Sequence, residues 1–178
     1  MSVAPGSMLD LLDEAVKQIK REEWLLGPKG WNSKYIDYHP PLVERMYRDW
    51  GENRISLHRI MPCDADEAFL HPHPWPSAFL VFGQYEVGFG YSETNEAPSI
   101  THTMRTGFGT RYEMTDLHAW HYVAPLEPVV TIMVTGKPWD RPAPRTANAP
   151  FRELTGKEQF RLLSDIRQSL DNFRREET

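Results

Sequence analysis

His71-Pro-His73-Pro-Trp-Pro-Ser77-Ala-Phe-Leu-Val-Phe-Gly83-Gln-Tyr-Glu86 is the stretch on which the reading turns. Two histidines one residue apart on an extended segment project to the same side. They bring two imidazoles within reach of one ion, and imidazole suits zinc, iron, nickel and copper alike. Pro72 and Pro74 hold the segment extended and cannot donate to a sheet ladder, so it belongs at a sheet edge or the start of a strand. A second window, Asp116-Leu-His118-Ala-Trp-His121-Tyr-Val, supplies further histidines on another expected strand. Four of the seven histidines fall in these two windows.

The remainder of the chain reads as a container for them. Its 178 residues suffice for one domain with a sizeable core, and 40% hydrophobic and 12% aromatic content fits a folded globular protein. Six tryptophans and fifteen prolines suit a sheet-rich fold with many corners. A net charge of −5 without a basic cluster argues against nucleic-acid partners and anionic membranes. No apolar run approaches the ~20 residues needed to span a bilayer, and the N-terminus lacks a charged region followed by an apolar one. A cytoplasmic protein is expected. Cys63, the single cysteine, excludes an internal disulfide.

Ser7 with Asp10 forms an acidic capping box ahead of an amphipathic helix running from Met8 to about Trp24, with Leu9, Leu12, Val16 and Ile19 at helical spacing. Leu26-Gly27-Pro28-Lys29-Gly30 stops it. Within the aromatic and proline-rich lead-in, Pro41 to Trp50 is read as a short helix bearing Leu42, Val43, Met46 and Tyr47. From Asn53 the period becomes two, and strands are expected at 53–61 and at about 70–73, 77–82, 85–91, 99–105, 108–113, 118–124 and 128–135. Short strands without intervening helices imply an antiparallel barrel or sandwich. The segment 136–150 carries four prolines and reads as an extended wrap. Thr155 and Glu158 then cap a last helix bearing Phe160, Leu163, Ile166, Leu170 and Phe173. The expected organisation is one domain: lead-in 1–52, barrel 53–136, and wrap plus helix 137–178.

A small β-barrel with His-x-His on one strand and a third histidine on a later one resembles the cupin superfamily. Its first motif runs G-x5-H-x-H-x3-4-E-x6-G; His71 and His73 match its histidines and Gly83 lies near its last glycine. Ser77 and Ala78 stand where its glutamate would be. Of its second motif, P-x-G-x2-H-x3-N, His121 followed by Tyr-Val is similar, and the Gly and Asn are absent. Loss of the glutamate resembles the thiol dioxygenases, cysteine dioxygenase among them, whose iron the family holds on three histidines. The spacing from His73 to Phe79-Leu80 and the run Glu127-Pro128-Val-Val-Thr-Ile are similar to that branch. The resemblance covers about residues 53–136 and implies a cupin jelly roll holding one divalent transition metal, Fe(II) first, with zinc, nickel or manganese as alternatives.

Counting back from Glu127-Pro128 favours His118 as the third ligand; the x-Val that follows favours His121. Three residues apart on a strand they face opposite sides. With His121 inward, Ala119 and Val123 also point in; with His118 inward, Trp120 and Tyr122 would crowd the metal. The expected ligands are His71, His73 and His121. Arg48 lies where the resembled branch carries an arginine that grips a substrate carboxylate. Arg59 offers a second cation and His58 a pocket-lining acid/base, though surface ion pairs and a hydrogen-bonded strand histidine account for them equally well. Fe(II) on three neutral imidazoles could take a substrate heteroatom and O₂ together. The expected activity is a non-haem iron dioxygenase acting on a small molecule, with O₂ as co-substrate and homodimerisation open. A binding module without turnover and an isomerase or lyase are the competing classes.

Overall fold

A computed structural model describes residues 6–140 and 151–176. Along these the chain forms α1 (Met8–Arg21), β1 (Asn32–Ile36), β2 (Val43–Trp50), β3 (Asn53–Ile60), β4 (His71–Pro72), β5 (Ser77–Phe82) and β6 (Tyr85–Tyr91). Then come β7 (His102–Arg105), β8 (Thr110–Met114), β9 (Ala119–Pro125), β10 (Val129–Thr135) and α2 (Gly156–Glu176). One sheet has the order β1-β2-β3-β10-β5-β8 and the other β4-β9-β6-β7. Every pairing is antiparallel. The sheets face each other without closing into a barrel, and the arrangement is a jelly roll of the cupin kind with a helix towards each end of the chain.

Alternation along the strands separates three layers. On the six-stranded sheet, Met46, Ile55, Leu57, Ala78, Leu80, Phe82, Ile132 and Val134 turn outward and join Leu12, Ala15 and Ile19 of α1 and Leu163, Ile166 and Leu170 of α2. The intervening residues turn inward: Phe79, Val81, Val129 and Met133 meet Val87, Phe89 and Ala119 of the four-stranded sheet. Both faces of the large sheet are therefore covered. The helices are capped as the sequence indicates. Ser7 and Asp10 form a reciprocal capping box at α1. At α2, Thr155 N–H donates to Glu158 Oε2 at 2.7 Å while Glu158 N–H donates to Thr155 Oγ1 at 3.3 Å.

Two readings of the lead-in change. Residues 41–50 do not form a helix: 43–50 is strand β2, paired with β1 from Ile36↔Val43 to Asn32↔Tyr47 and with β3 from Val43↔Ile60 to Trp50↔Asn53. Leu42, Val43, Met46 and Tyr47 resemble a helical stripe because β2 is covered on both faces, so apolar residues occur at both parities. Its charged Glu44 also faces a covered side, where it is buried and paired with Arg161 of α2. The sheet thus starts at Asn32, ahead of the expected first strand. Of the proline-rich wrap, 141–150 lies outside the described residues; before it, Gly136 and Trp139 donate backbone N–H groups to Pro76 and Pro74 at 2.9 Å. That ties the chain alongside the His-x-His segment.

The last helix presents Ile166 to the shared core at 0% exposure, whereas Phe160 on its other side is 57% exposed. Ile166→Ala is expected to cost about 2–5 kcal/mol, the range for truncating a fully buried aliphatic side chain. Phe160→Ala should stay within about 0.5 kcal/mol, as surface changes do. Urea melts of the two variants against the parent check both.

Candidate metal centre

The short strand β4 lies at the edge of the four-stranded sheet and pairs with β9, setting His71 directly opposite His121. His73 follows one residue past the strand end, with its backbone N–H reaching Ala119 O at 3.4 Å. One potential ligand atom from each of His71, His73 and His121 lies within 4.8 Å of the others. The Nε2 atoms of His71 and His121 are 3.1 Å apart. With metal–nitrogen bonds of about 2.0–2.1 Å, two donors at a right angle on one ion stand about 3 Å apart. The pair is spaced for a shared metal.

The tautomers agree with that reading. His71 Nδ1 lies 2.9 Å from Phe69 O, and a carbonyl only accepts, so Nδ1 carries the proton and Nε2 keeps its lone pair. His73 Nδ1 is set in the same way by Trp75 O at 3.3 Å and Ser77 Oγ at 2.9 Å. Backbone and hydroxyl partners of this kind orient metal-binding imidazoles. Ser77 thus holds a histidine ring in place. His121 Nδ1 is buried with no hydrogen-bond partner among the described residues.

Burial is the first cause that keeps these rings uncharged: it pulls His71 down to about 4, His73 to about 3, and His121 well below the ordinary imidazole value. The mutual repulsion of the ligand set adds to this for His73 and His121. Three neutral donors at pH 7 suit a divalent transition metal, and they form a three-histidine site for one. His118, by contrast, is exposed in the turn before β9, where its backbone N–H donates to Asp116 Oδ1 at 2.7 Å.

The three histidines line a cavity of about 250 Å³ between the sheets, with Trp75, Phe79, Tyr85, Tyr112, Val123 and Met133 among its walls. Tyr85 and Tyr112 share a 2.8 Å hydroxyl hydrogen bond there, and burial raises both phenols so that they stay protonated. His58 also lines the cavity. It sits in one cross-strand row with Arg45 of β2 and Thr131 of β10. Arg45 Nε–H donates to His58 Nε2 at 3.0 Å, which places the ring proton on Nδ1, 3.0 Å from Thr131 Oγ1. Burial and the neighbouring Arg45 charge hold His58 neutral.

The other two candidate cations face away. Arg48 lies over the rings of Trp24 at 3.7 Å and Trp31 at 5.4 Å. Arg59 pairs with Asp165 of α2 at 3.4 Å. Neither lines the cavity; both have the parity of the helix-covered face. Arg45, which the sequence reading passed over, does line it, and no carboxylate pairs with it among the described residues. The signal for it was available. Once 43–50 is a strand, Val43, Arg45 and Tyr47 share one face and Glu44, Met46 and Arg48 the other.

No family model matches the chain, and no curated protein does. Among solved structures, it is similar to the hydroxypropylphosphonic acid epoxidase from S. wedmorenis, with 14% identity, a TM-score of 0.47, and coverage of 61% of this chain and 56% of that one. It is similar to Streptomyces albus HEPD with 2-hydroxyethylphosphonate and Fe(II) bound, with 12% identity, a TM-score of 0.47, and coverage of 62% and 25%. KdgF from Halomonas sp. gives 16% identity, a TM-score of 0.41, and coverage of 58% and 87%. The chain spans about half the length of the epoxidase. Such distant likenesses say nothing of what this chain binds.

Removing His121 as His121→Ala should abolish stoichiometric metal binding, while His118→Ala retains one metal per chain. Elemental analysis of protein purified without chelator, backed by zinc titration, distinguishes the two. The depressed imidazoles also fix an acid response. Well above about pH 6.5 these rings are neutral whether the chain is folded or not, and stability is undiminished. Below it the unfolded chain takes up protons that the folded state refuses, so metal-free protein should lose about 1.4 kcal/mol per such histidine per pH unit down towards pH 4. Denaturant melts between pH 7 and pH 4 should show this decline, with a shallower slope in His73→Asn.

Proposed function

We propose that this chain is a non-haem iron dioxygenase resembling the thiol dioxygenases, holding Fe(II) on His71, His73 and His121 and acting with O₂ on a small anionic molecule. The observation that carries the reading is the donor set: three imidazoles held neutral, with Ser77 turned to orient His73. A bound Fe(II) would supply the redox chemistry that dioxygen requires. The chain's own residues do the rest. Neutral donors leave the full cationic charge of a divalent ion in place, which favours an anionic ligand such as a thiolate. Phe79, Val123 and Met133 give the cavity apolar walls beside the histidines.

Arg45 is the residue we assign to the substrate's anionic group, in place of Arg48 and Arg59. Its Nε is committed to His58, which leaves the two terminal nitrogens of a planar fork for a carboxylate or similar anion. The paired Tyr85 and Tyr112 hydroxyls remain protonated and can hold a proton near the bound molecule. His58 lines the same cavity and acts through Arg45.

An oxygen electrode tests the reading on anaerobically iron-loaded protein given small thiol carboxylates. O₂ uptake above the free-iron control is expected. Arg45→Met should raise KM about tenfold or more with metal content unchanged, as removal of one charge-assisted contact does, whereas Arg48→Ala should leave KM alone. No uptake with one iron confirmed per chain would favour a binding module without turnover.

A further inference from the structure

The row that carries Arg45, His58 and Thr131 extends one strand further. Lys34 of β1 is the register partner of Arg45, so the two residues sit side by side on strands about 4.8 Å apart and share a face. Both line the cavity. Lys34 Nζ is steadied from the side by aromatic rings, 5.7 Å from the centre of Tyr47 and 5.6 Å from that of Phe151. No aspartate or glutamate lines the cavity among the described residues, although the whole chain carries a net charge of −5. Neither cation has a carboxylate partner among those residues. Two cations beside a three-histidine metal site make a strongly positive lining in an acidic protein.

We propose that the molecule bound here is a short dianion, one anionic group on Arg45 beside the metal site and the second on Lys34 at the cavity wall. This rests on the reading of Arg45 as an anion holder. A single carboxylate would satisfy the Arg45 fork and leave Lys34 with ring faces and no anion. A second carboxylate, sulfonate or phosphonate a few bonds away neutralises both. The register sets the two side chains side by side on one face, where one short molecule can reach both.

Isothermal titration at low ionic strength on the zinc-loaded full chain tests it, zinc being redox-silent. The probes are butyrate, a monoanion, and succinate and glutarate, dianions of similar size. One dianion should bind about fivefold more tightly than butyrate, the size of one partly exposed ion pair. Lys34→Met should erase that preference, Lys34→Arg should keep it, and Arg45→Met should weaken all three probes. Thermal melts confirm that each variant is folded. Equal affinities of the parent for all three probes, or a preference that survives Lys34→Met, would overturn the dianion and leave Arg45 standing. Butyrate binding that ignores Arg45→Met, or no binding by any probe, would remove the anion site itself.

Discussion

Both faces of the six-stranded sheet are buried, and every functional assignment depends on which face a residue is dealt to. Strands with period two allow no compromise: neighbours in sequence go to opposite sides. On β2 that rule gives Arg45 to the cavity and Arg48 to the opposite face, against Trp24 and Trp31. On β3 it gives His58 to the cavity and Arg59 to Asp165 of α2. A slip of one residue would exchange these sets entirely, placing Ile55 and Leu57 at the metal site and His58 among the helices. The long pairings on both sides of β3, with β2 and with β10, hold that register.

The centre itself is held by electrostatics working against solvation. A buried imidazole resists protonation, and three together resist it more, since each would repel the others. The same withdrawal from water that prepares lone pairs for a metal also makes the metal-free protein acid-sensitive. Binding competence and acid lability therefore have a single origin. Arg45 shows the complementary case: its guanidinium stays in the cavity by donating to a neutral histidine whose own proton is directed to Thr131.

Much of this was legible in the chain before any coordinates. His-x-His with flanking prolines marks an edge segment, and β4 is an edge strand. The capping boxes at Ser7 and Thr155 mark both helix starts. What sequence could not give was the lead-in, because period detection needs one wet face and β2 has none. Arg45 was lost with it. The Arg48 reading leaned on local similarity to a family motif, which carries a residue type but not a parity. Motif spacing pulled both ways between His118 and His121 and crowding tipped the choice; the structure brings His121, not His118, beside His71 and His73. Phe160 counted as a helix-face residue because it lay at the right spacing; it is at the edge of that stripe and exposed.

The three histidines are not anchored alike. His71 and His73 are each fixed from behind, by Phe69 O and by Ser77 with Trp75 O, whereas His121 Nδ1 has no such tether among the described residues. Two rings are held by hydrogen bonds at Nδ1, and the third is held by packing against Phe79, His71 and His73. The ring without a hydrogen-bonded tether keeps its place by shape alone, so trimming Phe79 would loosen His121 before it loosened His71 or His73.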